Sequence, residues 1–167
     1  MISEGANNSI VRNNIINLST NGISAVAKNT SIENNLIYNS SHHCIDLHPQ
    51  WSLDGNVGFI DIVNNSCFDT SDNEIYMLNI TNVSIKNNTF QRGMGTGILM
   101  SDEYGFSYVN ITNNTFNLSE SSVGYCLRNN LVGETINQKI NIKENNFINC
   151  NQNICLLYTS PSPRDRS

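Results

Sequence analysis

The chain has 167 residues and carries 9 Lys and Arg against 14 Asp and Glu, a formal net charge of −5. That mild acidity, with no basic patch and no interleaving of aromatic and basic residues, disfavours nucleic acid as a partner. The length suits one domain, and the absence of a run of about 18 apolar residues predicts no membrane span.

At the start, Met1-Ile2-Ser3-Glu4-Gly5 lacks the charged n-region and apolar h-region of a signal peptide. From Val11 onward one motif recurs: a β-branched residue, a spacer, an Asn pair, and an apolar residue two places further on. Its copies are Val11-Arg12-Asn13-Asn14, Ile32-Glu33-Asn34-Asn35, Ile62-Val63-Asn64-Asn65, Ile85-Lys86-Asn87-Asn88, Ile111-Thr112-Asn113-Asn114 and the variant Ile142-Lys143-Glu144-Asn145. The following apolar residues are Ile16, Ile37, Cys67, Phe90, Phe116 and Phe147. Successive copies are 21, 30, 23, 26 and 31 residues apart, an interval that signals a solenoid.

Each repeat has a second half. Ile23, Ile45, Ile75, Ile98, Tyr125 and Ile154 follow the first half by 7 to 9 residues, and around them apolar and polar residues alternate. Short alternating runs predict strands with one buried face, and the density of Asn opposes helix. Such a repeat cannot bury its own apolar face, so copies must stack in parallel. Two inward columns are expected, Val11/Ile32/Ile62/Ile85/Ile111/Ile142 and Ile16/Ile37/Cys67/Phe90/Phe116/Phe147. The second Asn of each pair is expected both to take the left-handed backbone of a bend and to bond to its counterpart one coil away.

The pattern [Ile/Val]-x-Asn-Asn-x-[Phe/Ile], followed after about eight residues by an Ile strand, resembles the repeat of pectin-lyase-like proteins from Ile10 to Ile154. The resemblance implies an all-β, right-handed parallel β-helix of about six coils over residues 1–154. It implies an extracellular or cell-surface module that binds or processes polysaccharide, since the family holds lyases, glycoside hydrolases and uronate epimerases. Tailspikes and adhesin-like proteins belong to it too, so a non-catalytic stalk is the alternative. Residues 155–167, from Cys155-Leu156-Leu157 through Pro161-Ser162-Pro163-Arg164, resemble one reading frame of a sequencing adapter and are expected to form a disordered, non-native tail.

Candidate site residues follow from register. The inserted residues, Pro49 to Phe59, Asp102 to Tyr108 and Asn129 to Lys139, are all expected to leave the end of one strand and gather along one edge. Trp51, Tyr104 and Asp102 there would wall a sugar-binding surface, since aromatic rings suit the apolar faces of sugars. On the strand itself two outward lanes are expected, Ser24/Asp46/Tyr76/Leu99/Cys126 and Val26/His48/Leu78/Ser101/Arg128. In a catalytic reading His48 is general base, Asp46 orients it, Tyr76 protonates a leaving oxygen, and Ser101 and Arg128 bind substrate, the latter through a uronate carboxylate. His42 and His43 read as turn residues. Cys44, Cys67, Cys126 and Cys150 show neither zinc-ligand spacing nor a disulfide framework, and no metal or cofactor is expected.

Overall fold

Short β-branched runs separated by Asn, Ser and Gly leave every strand dependent on its neighbours in the stack, and the backbone follows that logic throughout. A computed structural model describes residues 7–48, 57–78, 80–102, 108–118, 125–131 and 139–156. None of these is helical, and no helix among them is long and apolar enough to cross a membrane.

Three parallel six-stranded sheets make up a β-helix, each sheet taking every third strand of the chain. The first sheet holds β1 (Ile10–Arg12), β4 (Thr30–Glu33), β7 (Val57–Val63), β10 (Ile80–Lys86), β13 (Tyr108–Thr112) and β16 (Lys139–Lys143). The second holds β2 (Ile15–Asn17), β5 (Leu36–Tyr38), β8 (Ser66–Phe68), β11 (Thr89–Gln91), β14 (Thr115–Asn117) and β17 (Asn146–Ile148). The third holds β3 (Ile23–Ser24), β6 (Ile45–Leu47), β9 (Ile75–Leu78), β12 (Ile98–Asp102), β15 (Tyr125–Leu131) and β18 (Gln152–Leu156). Three is thus the number of faces and six the number of strands in each. The last strand includes Cys155 and Leu156, and the rest of the adapter-like tail lies outside the described residues.

Both expected inward columns are in register. Val11, Ile32, Ile62, Ile85, Ile111 and Ile142 pair in succession, as do Ile16, Ile37, Cys67, Phe90, Phe116 and Phe147. The three Phe rings stack along the axis with centroids 4.9 and 5.3 Å apart. The third column is Ile23, Ile45, Ile75, Ile98, Leu127, Ile154, so Leu127 replaces the expected Tyr125. Residues 119–124 come between β14 and β15, so not every insertion follows the third sheet, and the extra length there shifts the pairing by two.

The Asn pair divides its work, which corrects the expectation that one Asn does both tasks. The first residue of each pair takes the left-handed bend: Asn13, Asn34, Asn64, Asn87, Asn113 and Glu144 have φ between 53° and 59°. The second residue points inward and makes the ladder. Its Nδ2 donates to the next Oδ1 from Asn14 to Asn35 at 3.0 Å, then onward through Asn65, Asn88 and Asn114 to Asn145 at 2.9–3.1 Å. Each Oδ1 also accepts the backbone N–H of the preceding Asn, and each Nδ2 from Asn35 onward also donates to a carbonyl of the preceding coil, as Asn88 does to Ile62 at 2.8 Å.

The cysteines also correct the sequence reading. Cys44 bonds Cys67 and Cys126 bonds Cys150, with Cα atoms 6.1 and 5.6 Å apart. Cys126 therefore points inward rather than outward. The separations of 23 and 24 residues are one coil each, so each bridge staples neighbouring coils. A bridge closing such a loop typically adds about 2–4 kcal/mol. One interior position is poorly matched. Asn129 sits fully buried in a column with Met77, Met100 and Leu156, and neither of its amide atoms has a hydrogen-bond partner.

Two predictions follow from these positions. Asn87→Gly should change the urea-unfolding free energy by less than about 1 kcal/mol, because Gly accepts the left-handed bend. Asn88→Gly should cost at least about 1–3 kcal/mol by orphaning buried groups on both neighbouring coils; equal effects would contradict the division of roles. At the third column, Asn129→Leu should raise stability by roughly 1–3 kcal/mol by removing an unpaired amide from the core, checked by the same unfolding measurement.

Candidate functional site

The outward face of the third sheet carries a lane set by pairing: Ser24 with Asp46, Asp46 with Tyr76, Tyr76 with Leu99, and Leu99 with Arg128. Arg128 thus joins the lane of Asp46 and Tyr76, where the sequence reading had Cys126. The two-residue shift at β15 is the reason. Tyr76 and Arg128 are two rungs apart, about 10 Å at the spacing of paired strands. Ser101 pairs with Leu78 and Asn130 in the neighbouring lane and does not line the groove. Asp102 ends β12, and its side chain, like Trp51 and Tyr104 altogether, lies outside the described residues.

Asp46, His48, Tyr76 and Arg128 line one open groove of about 710 Å³. Asp46 is largely buried; its Oδ2 accepts a 2.7 Å bond from Asn21 Nδ2, while its Oδ1 has no partner. The His48 ring meets Tyr76 edge-on at 5.7 Å between centroids. Among the described residues no hydrogen bond joins Asp46 to His48, so the expected orienting pair is not formed. The Arg128 guanidinium donates from Nε to Asn130 at 2.7 Å and lies 5.2 Å from the centroid of the Tyr125 ring.

The same groove contains His42 and His43, which the sequence places in a turn. The corner before β6 carries His42 and His43, and one coil on the corner before β9 carries Asp72 and Asn73. The backbone sets this stacking, with Asp72 N–H donating to His42 O at 3.1 Å and Cys44 N–H to Asn73 O at 3.2 Å. His42 Nε2 and His43 Nδ1 stand 3.3 and 3.6 Å from the same oxygen, Asp72 Oδ2. The two imidazole rings are 3.8 Å apart, and the buried His43 ring stacks on Tyr76 at 4.9 Å. Asn21 holds the His43 backbone N–H at 3.2 Å as well as Asp46, tying the corner to the strand lane. Burial lowers the His43 pKa, His42 lowers it further, and Asp72 and Asp46 oppose the shift. The signal was present in the repeat: counting three residues back from Ile45 and Ile75 gives His42 and Asp72.

Behind this corner Glu74 points into the core, fully buried beside the Cys44–Cys67 bridge. Those two sulfurs are bonded to each other, which removes them as metal ligands. Thr70 Oγ1 donates to Glu74 Oε2 at 2.8 Å, and Oε1 has no partner. A side chain at Gly93 would collide with this carboxyl, so the absence of a Cβ there makes room for it.

A second groove, of about 480 Å³, lies on the outward face of the first sheet. Its exposed rings are Phe59 and Tyr108, and Lys139 Nζ sits 5.5 Å from the Tyr108 ring centroid. These residues end the three expected insertions, which run from the third sheet to the first. Comparison with protein-family models, with curated proteins and with solved structures finds no match. The fold and the groove therefore carry the functional argument.

Glu74 yields a pH prediction. Burial raises its pKa from 4.5 to about 8, partly offset by the Thr70 bond. The folded protein thus holds a proton on Glu74 that the unfolded chain releases above its ordinary pKa. Stability from this group is fully present below about pH 4.5 and is lost as pH rises through about 8. Between these limits the slope should be roughly 1 kcal/mol per pH unit. Unfolding midpoints measured across the window should fall in the parent chain and flatten in Glu74→Gln.

Proposed function

We propose that this β-helix binds polysaccharide along the groove of the third sheet, as an extracellular or cell-surface module of the pectin-lyase-like kind. The observation that carries the reading is the convergence of Tyr76, Asp46 and His48 with Arg128 two rungs along the same lane. A half-buried aromatic ring beside hydrogen-bonding groups suits the apolar faces and hydroxyl edges of sugars. Arg128, two rungs away, gives the lane a cation for a uronate carboxylate. Exposed Phe59 and Tyr108 at the far ends of the inserted loops offer further sugar-stacking surface. Two disulfides fit an oxidising location.

Binding is favoured over turnover. Asp46, the residue expected to orient His48, bonds Asn21 instead and makes no hydrogen bond to the imidazole. The continuous Asn ladder also suits a stiff stalk of the adhesin or tailspike type, in which the groove serves attachment.

Titration with neutral and uronate-containing polysaccharides tests the reading. Tyr76→Ala should weaken binding of both classes about tenfold or more, and Arg128→Ala should weaken only the uronate class. Absence of binding to either class, or binding indifferent to Tyr76→Ala, would remove the proposal. Product absorbance at an unsaturated uronate that disappears in His48→Ala would replace binding with lyase chemistry.

A further inference from the structure

We propose that His42, His43 and Asp72 form a site for a divalent transition metal of the zinc class, with an open coordination position facing the groove beside Asp46. The proposal goes beyond the polysaccharide reading and does not depend on it.

The geometry is that of a nearly closed ligand set. One donor atom from each of the three residues lies within 4.8 Å of the other two. Zinc held by imidazole nitrogen and carboxylate oxygen at about 2.0–2.1 Å in a tetrahedron requires ligand atoms about 3.3–3.4 Å apart. The two distances from Asp72 Oδ2, 3.3 Å to His42 Nε2 and 3.6 Å to His43 Nδ1, are close to that edge, and the stacked imidazole rings would turn to aim both lone pairs at one ion. A single ion pair needs only one imidazole on the carboxylate; here two converge on one oxygen. Asn73 Nδ2 lies 3.4 Å from His43 Nδ1; in the tautomer that carries its proton on Nε2, Nδ1 accepts from this amide and can offer the same lone pair to a metal. A metal ion would take the place of that weak donor.

An independent observation points the same way. Asp46 is 8 % exposed, its Oδ1 has no hydrogen-bond partner, and it lines the same groove as the three ligands. A buried carboxylate oxygen without a donor is costly unless something positive or protic completes it. A metal ion with its bound water supplies both.

The ligand types decide the class of ion. Two imidazoles and one carboxylate favour zinc, cobalt, nickel or copper over calcium and magnesium, which prefer all-oxygen sets. Three protein ligands with an open fourth position are the arrangement of a site that can exchange water or bind a ligand oxygen. His42 and Asp72 are each about half exposed, which gives the ion a path in. Gly95, one coil beyond Asp72, puts no side chain over it.

The test uses the full chain, stripped with chelator and with free thiols blocked. Zinc(II) titrated alone by calorimetry should bind at one equivalent, and cobalt(II) should give the intense visible absorption of a tetrahedral nitrogen–oxygen site. His42→Ala and Asp72→Asn should each weaken binding at least about tenfold, the scale of losses seen even for outer-shell groups. Both substitutions lie in a corner rather than in the core, and unchanged unfolding midpoints without metal would confirm that both variants fold. Calcium(II) should not compete. No saturable zinc binding, zinc binding unaffected by either substitution, or a weak octahedral cobalt spectrum would each overturn the proposal.

Discussion

The buried column of Asn amides is the constraint on which the rest of the molecule depends. An amide in the interior is costly unless its oxygen and both its hydrogens find partners. Here each oxygen accepts twice and each nitrogen of the buried rungs donates at least twice, so the column is satisfied only when coils stack in one register. A slip of one residue would strand a whole row of amides and turn every apolar column outward. The ladder therefore does more than add hydrogen bonds. It decides which side chains on successive coils become neighbours.

That decision reaches the groove through the corners. Because His42 and Asp72 occupy equivalent corner positions, stacking in register sets a carboxylate against two imidazoles. The same register puts Asp46 under Tyr76. Asn21 spans corner and strand by holding His43 and Asp46 together, so the polar cluster is braced from the coil below. On the inner side of this corner the Cys44–Cys67 bridge and the buried Glu74 carboxyl lie within the core. The region around the third and second sheets at this level is the most chemically specialised part of the described structure.

Variation along the axis shows how tolerant the scheme is. The second column passes from Ile through Cys to three stacked Phe without loss of register, because each rung need only fill the space its neighbours leave. Polar intrusion is accepted less well. Asn129 carries unpaired amide atoms in the column of Met77 and Met100, and burial pushes the Glu74 pKa up to about 8.

Much of the architecture was legible in the sequence, because the determinants are local and repeated. The Asn pairs, the β-branched residue before them and the apolar residue after them lie within a few residues of one another, so no inserted loop can put them out of phase. Both inward columns and the existence of an Asn ladder follow from that. The third column was readable only where the spacing from the second stayed regular; at β15 extra residues moved Leu127 into the place expected of Tyr125 and brought Arg128 into the lane of Asp46 and Tyr76. Which Asn of a pair bends and which bonds was decided by backbone geometry, since in five of the six copies both residues are chemically the same; only Glu144-Asn145 tells the two positions apart. The disulfide partners and the meeting of His42, His43 and Asp72 depend on contacts between coils, across 23 to 30 residues of chain. Only the stacked structure creates those distances, because lateral register, and not proximity along the chain, determines what meets across the rungs of a solenoid.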